Sequence, residues 1–430
     1  MSQAVLERTN SKSFLGVRSK ILLLFAVSIF FDMDWVYFNI AWYGNSRLST
    51  MASLLAWAAT FLLLFEEMRI QGQALFTLTL RELVIMFIAI AVKVHGSLFG
   101  AESNFDFAVG DIRLLLVVYL VIKMSPKRKK ILFEYIIELF LLFATIGLIY
   151  YLVCVLGLQR LIPHSVIARR GRRNNIIRNQ QFYYVFPMGV VLRSGGLYRY
   201  CAIFDEPGVL GTISALLYAG SYKGIKKRLR IPVLLIGILT LSTAFYIIIA
   251  VFYLWITYTK KMYKTLIAIA GVLIVYGIIY ALPNDILLIK TLQEKMLINT
   301  LFSRRDTKRF LEYYRAFIAG GGYPLLMGMG KSAHRLINDG TYSYKLILYD
   351  YGIIGSILYI SLFIQTYLRD RSKEGIVFFL CFMISIFQRP FVYTTFFYPL
   401  FVTALSSFNY EADETSEIEE YEAQWQGSEY

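Results

Sequence analysis

Long apolar runs settle the solvent in which this chain folds. Ile131 to Leu156 and Ile231 to Tyr258 each reach or exceed the ~20 residues that a helix needs to cross a hydrocarbon core. These runs are apolar on every face, whereas a transmembrane barrel would show short alternating segments. Lipid also requires each backbone amide to be paired within its own helix. Composition agrees: 57% of residues are hydrophobic and only 17% are charged, too apolar for a soluble domain of 430 residues. The expected fold class is therefore an all-α polytopic membrane protein. About twelve transmembrane helices are expected, with residues 21–43 as a retained first helix.

Basic residues orient the chain. Short loops rich in Lys and Arg mark the cytoplasmic side. Candidates are Arg8–Lys20, Lys123–Lys130, Lys223–Arg230, Lys260–Lys264 and Arg369–Lys373. All fall on one side only if the chain crosses twice between Ile231 and Tyr258, breaking near Ser242 and Thr243. Both termini are then cytoplasmic. Residues 1–410 form one membrane domain with two large outer loops, about 157–206 and 283–342. Residues 411–430 carry eight acidic and no basic residues and are expected to be a disordered cytoplasmic tail. With basic residues split across a membrane and no binding module present, nucleic acid is excluded as a partner. The three cysteines show no metal spacing, so neither a disulfide nor a zinc site is expected.

The outer loops concentrate arginine. The first holds Arg160, Arg169, Arg170, Arg172, Arg173, Arg178, Arg193 and Arg199 and no lysine. A guanidinium is a planar fork that grips phosphate or carboxylate and stays charged, so an anionic, phosphate-bearing substrate is expected. In the second loop, i, i+4 and i+7 spacings place Arg305, Arg309 and Glu312 on one helical stripe, with Arg304, Lys308 and Arg315 beside it. The glycine-rich turn Gly328-Met329-Gly330-Lys331 follows and is expected to expose backbone amides to an anion. Asp205 and Glu206 precede Pro207, where a helix should begin, so Glu206 is either an N-terminal cap or a functional carboxylate. His334 is a candidate general base. Asp350, inside an expected span at 343–367, should face protein and pair with an arginine.

Three features together resemble the O-antigen polymerase family, membrane enzymes that join lipid-linked oligosaccharide repeat units outside the bacterial inner membrane. They are Arg193-Ser-Gly-Gly-Leu-Tyr-Arg199 leading into Phe204-Asp-Glu-Pro-Gly208, the Leu239-Thr-Leu-Ser-Thr243 break, and Gly328-Met-Gly330 followed by Asp350-Tyr-Gly-Ile-Ile-Gly355. The likeness spans roughly residues 190–360. It implies transfer of a growing glycan from one undecaprenyl pyrophosphate carrier to the non-reducing end of a newly flipped unit, at the periplasmic face and without a cofactor. Implied partners are the undecaprenyl-pyrophosphate-linked oligosaccharide, membrane lipid, and a chain-length regulator and flippase of the same pathway. In this reading Arg193, Arg199, Arg305, Arg309 and Arg315 hold pyrophosphate in place of a metal, and Glu206 or His334 is the base or acceptor-orienting group. O-antigen ligases share the architecture but place a histidine, in an Ala-His-Asn context, where this chain has Thr341. Here Ala333-His334-Arg335 lies earlier. A flippase of the same lipid-linked sugar is the alternative from another class, and it should carry intramembrane charges and paired halves.

Overall fold

The computed structural model describes residues 20–31, 46–99, 105–158, 165–168, 180–185, 189–194, 197–204, 206–260, scattered positions between 263 and 282, 306–337, 343–389 and 394–409. The acidic tail lies outside the described residues. The chain is predominantly helical. In order come α1 (Lys20–Phe31), α2 (Ser46–Gln71), α3 (Leu80–Leu98), α4 (Phe105–Lys123), α5 (Pro126–Val155), α6 (Pro207–Gly220), α7 (Lys227–Leu239) and α8 (Thr243–Lys260). After these follow α9 (Lys308–Gly320), α10 (Gly322–Met327), α11 (Ala333–Leu336), α12 (Lys345–Arg369), α13 (Gly375–Gln388) and a final helix α14 over 397–409. Among the described residues three stretches are long and apolar enough to cross a membrane, Thr50–Leu75, Pro126–Val155 and Lys345–Arg369, with shorter apolar helices beside them.

The outer surface of the bundle is itself apolar. Met51, Leu54, Phe65, Phe87, Leu98, Leu142, Ile231, Leu235 and Ile357 are exposed, an arrangement that water penalises and lipid does not. The centre is formed by α6 and α14, which are buried on nearly all sides, as expected of helices apolar all round.

The expectation of an all-α fold needs one correction. Within the first long loop the chain forms a four-stranded antiparallel meander, β1 (Ser165–Ala168), β2 (Gln180–Val185), β3 (Gly189–Ser194) and β4 (Leu197–Ala202), in the order β1-β2-β3-β4. Its segments are rich in Val, Tyr, Phe and Gln with Gly at the turns, a strand composition that the arginine content obscured. The sheet is fastened to the end of α5: Tyr200 is fully buried and its hydroxyl donates to the Ala144 carbonyl, while Val191 packs with Tyr150 and Cys154.

The break at Leu239–Thr243 reverses the chain. Thr240 and Ser242 abut Gly211 near the start of α6, Ser214 donates to the Val233 carbonyl at 2.5 Å, and Tyr218 pairs with Tyr253. Helix α7 therefore runs antiparallel to α6, and α8 runs parallel to it. Leu241 takes a positive φ of 50° at the reversal. The expectation of two helices rather than one long one is met.

The three basic turns that are described, Lys123–Lys130, Lys223–Arg230 and Arg369–Lys373, accordingly gather at one end, while nearly all of Arg8–Lys20 and of Lys260–Lys264 lies outside the described residues. Arg128 pairs with Glu66 at 2.7 Å and Glu67 at 2.8 Å, Lys123 with Glu82 at 3.4 Å, Arg369 with Asp370 at 2.6 Å, and Lys223 with Glu374. Asn409 donates to the Asp370 carbonyl at 3.0 Å, tying α14 to the same end. The opposite end carries the sheet, α9 to α11 and the start of α12.

At that opposite end α12 is kinked. Gly352 has φ 65°, and a Cβ there would collide with the backbone nitrogen of Gly328 and the carbonyl of Leu326. The left-handed conformation costs a side-chain-bearing residue about 1–2 kcal/mol and overpacking costs about 1–3 more. Gly352→Ala should therefore lose about 2–5 kcal/mol. Gly320→Ala, with open space around it, should be neutral or gain up to ~1 kcal/mol. Unfolding of both variants in mixed micelles measures the difference, and equal midpoints would refute the account of the kink.

Candidate functional site

The kink at Gly352 frees the carbonyls of the preceding turn, and the Gly328–Gly330 segment takes them. Met329 N–H donates to the Tyr349 carbonyl at 2.8 Å and Gly330 N–H to the Asp350 carbonyl at 2.9 Å, while Gly328 N–H donates to Pro324 at 2.7 Å. This overturns the expectation that the glycine turn presents its amides to an anion. Those amides are spent on the protein. Glycine is needed for close approach and for positive φ at Gly328 (89°) and Gly330 (112°). His95, in the last turn of α3, completes the arrangement: its Nε2 lies 2.9 Å from the Met327 carbonyl and 2.8 Å from that of Tyr351. A Cβ on Gly355 would lie 2.7 Å from the His95 ring. His95 is thus a structural bridge over the kink.

The docked turn delivers His334 to Asp350. Asp350 is 1% exposed. Its Oδ1 accepts the His334 backbone N–H at 3.0 Å and its Oδ2 lies 2.6 Å from His334 Nδ1. A carboxylate only accepts, so Nδ1 carries the proton and Nε2 is left as the acceptor nitrogen. Asp350 faces protein, as expected of a carboxylate at this depth, and its two oxygens take the backbone amide and the imidazole of His334. Three residues before His334, Lys331 binds Asp111 Oδ2 at 2.7 Å, and Lys93 from α3 binds Asp111 Oδ1 at 3.1 Å. An oriented imidazole therefore sits one turn from ammonium groups, a set able to accept a proton and to stabilise an anion.

Helix α9 lies over this turn. Thr307 caps it by accepting from Phe310 N–H at 3.0 Å, so the helix begins at Lys308. Arg304 and Arg305, the first members of the predicted stripes, lie outside the described residues. Phe310 and Phe317 pack on Tyr349, next to Asp350, with centroids 5.6 and 5.2 Å away. Arg309, Glu312 and Arg315 are exposed on the helix's other faces. Asp306, just before α9, accepts from Ser343 at 2.8 Å and Lys345 at 2.6 Å and fastens it to the start of α12.

A second constellation surrounds the start of α6. Glu206 is the N-cap residue, yet its side chain makes no capping bond. It pairs instead with Arg389, whose guanidinium lies against Gly208. Arg199 of β4 joins the group electrostatically. Burial lowers its pKa below the ordinary arginine value, Cys201 and Glu206 oppose that, and Arg389 reinforces it; it remains charged. Phe204 packs on Phe30, and Phe30 on Phe396, beside which Thr395 accepts from Arg113 at 3.1 Å. Arg193 lies on β3 opposite Gln181 and Tyr198 in backbone register. Asp205 lies outside the described residues.

No family model, curated protein or solved structure matches this chain.

The structure thus unites His334 with Asp350, and Glu206 and Arg199 with Arg389, while Arg309 and Arg315 stand on the exposed surface above. Sequence reasoning missed Lys93, Asp111, Arg113 and Arg389, and took Lys331 only as the last residue of the glycine turn. A signal existed for the first three, because ionisable residues inside apolar helical segments mark function by default. For the partly buried Glu206–Arg389 pair, a double-mutant cycle with Glu206→Gln and Arg389→Gln should return a coupling of about 1–3 kcal/mol. Additive effects would mean the pair is incidental.

Proposed function

We propose that this protein is a membrane glycosyltransferase that polymerises undecaprenyl-pyrophosphate-linked oligosaccharide repeat units at the outer face of a bacterial inner membrane. The supporting observation is the His334–Asp350 pair, oriented beside Lys331 at the end of the bundle opposite the basic turns. Asp350 holds the imidazole so that Nε2 can take the proton of a sugar hydroxyl on the acceptor unit. The hydroxyl oxygen then bonds to the donor's anomeric carbon as the bond from that carbon to the pyrophosphate oxygen breaks. The leaving pyrophosphate carries away the electron pair, and the cations of the outer end stabilise its charge. Arg309 and Arg315 on the exposed α9 face, with Arg193 and Arg199 of the sheet, bring anionic lipid substrates to this end. Glu206, engaged by Arg389, is the positioning carboxylate of the neighbouring constellation, and His334 is the base.

A ligase that passes the glycan to a different lipid acceptor is the second reading, and the same Asp350-supported His334 favours it. The acceptor distinguishes the two. Purified protein supplied only with synthetic undecaprenyl pyrophosphate repeat units should yield a product ladder if it is a polymerase. His334→Ala should cut the rate by about 10²–10⁴, and Arg309→Ala should weaken substrate use at low lipid concentration. Products that appear only with a second acceptor lipid would transfer the assignment to a ligase. Movement of intact lipid across the bilayer with no new glycosidic bond would make the chain a flippase.

Topology offers an independent check. A cysteine placed at Gly320 in whole cells should react with a membrane-impermeant maleimide from outside, and labelling only after permeabilisation of the inner membrane would reverse the orientation.

A further inference from the structure

The geometry points to a polyprenyl phosphate site headed by Lys93 and Lys331, with the first part of the hydrocarbon chain in an apolar slot beneath them. Two observations carry this. Asp111 gives one carboxylate oxygen to each ammonium, Lys331 at 2.7 Å and Lys93 at 3.1 Å, and the two cations are near enough to repel each other. Among the described residues Lys93 shares its one carboxylate contact with a second cation, so its charge is partly compensated, and both ammonium groups are held in place ahead of any ligand. A phosphate entering between them gains two charge-assisted contacts without ordering a flexible side chain.

The second observation is independent of the charges. Lys93 also lines a half-open cavity of about 40 Å³ between α3, α4, α12 and the 394–398 segment. Apart from Lys93 and Thr394 its walls are hydrophobic, among them Ala89, Leu115, Val118, Tyr359 and Phe363. That volume accommodates about three waters, or one short branched hydrocarbon segment. An apolar slot under a cationic head matches an amphiphile with phosphate at one end. A free anion would leave the slot unused. A slot of this volume takes one hydrocarbon segment and not two chains, so the lipid assigned is a single-chain prenyl phosphate. It is the carrier end of the proposed substrate, and Lys331, which would hold its phosphate, lies three residues before His334. The identity of this lipid rests on the functional reading above, whereas the site itself rests on the cluster and the slot.

The full chain, purified in non-ionic detergent, is titrated with farnesyl pyrophosphate, inorganic pyrophosphate, farnesol and phosphatidylglycerol, reading the unfolding temperature and affinity. Farnesyl pyrophosphate should stabilise the protein and bind at least about tenfold more tightly than pyrophosphate, with farnesol silent. Lys93→Met and Lys331→Met should each weaken it by about tenfold or more, with partial rescue by arginine at either position. Ala89→Leu should weaken farnesyl pyrophosphate but not pyrophosphate. Equal affinity for the two pyrophosphates would reduce the site to a free-anion site, and equal competition by phosphatidylglycerol would make it a general phospholipid contact. Either result overturns the proposal, as does unchanged binding in the lysine variants. If those variants do not fold, the comparison of the four probes on the unaltered chain still decides. Because binding needs no turnover, the two readings fail separately. Selective farnesyl pyrophosphate binding without a product ladder would sink the polymerase reading alone, and a ladder without selective binding would sink this one alone.

Discussion

The end of the bundle opposite the basic turns depends on the contact between two glycine-containing segments, Gly328–Gly330 and the kink at Gly352. Where α12 leaves helical geometry, the carbonyls of Tyr349, Asp350 and Tyr351 lose their helical partners, and buried carbonyls without partners are costly. Met329 and Gly330 amides satisfy the first two, and His95 satisfies the third. Because a Cβ on either Gly328 or Gly352 would occupy the other's backbone, the contact exists only for glycine. Its consequence is chemical. The chain leaving Gly330 must pass Asp111 with Lys331 and then Asp350 with His334, so a single backbone docking sets both the cation and the imidazole.

The two ends of the bundle use charge differently. At the basic end, carboxylates answer the arginines and lysines closely: Glu66 and Glu67 take Arg128, Glu82 takes Lys123 and Asp370 takes Arg369. These pairs join helices that are distant in sequence, and they neutralise one another. At the other end Asp306 takes Lys345 and Glu206 takes Arg389, but Asp111 is shared between two lysines, and Arg309 and Arg315 are exposed on α9. A closely paired network suits assembly, while exposed or carboxylate-sharing cations suit an anionic ligand.

Helix α9 connects the surface to this chemistry. Its aromatic face covers Tyr349, the neighbour of Asp350, while its basic face looks outward, and Asp306 fixes its beginning to α12. Arg309 and Arg315 stand on the exposed side of the same helix.

From the sequence alone, the lipid solvent and the predominance of helices follow, because run length and apolarity on every face leave few alternatives. So does the gathering of the three described basic turns at one end, because the break at Leu239–Thr243 was needed to bring them together and Thr and Ser at that point allow it. His334 and Glu206 were legible as candidates from residue type and from the turn and proline beside them. Their partners were not. Asp350 and His334 are sixteen residues apart, Asp111 and Lys331 are 220 apart, and Glu206 and Arg389 are 183 apart, so nothing in local periodicity relates them. The sheet in the first loop was hidden as well, since its strands are short and their pairing is decided by contact with α5 rather than by propensity. Tertiary structure alone determined which charges share a carboxylate, because that depends on which helix ends meet.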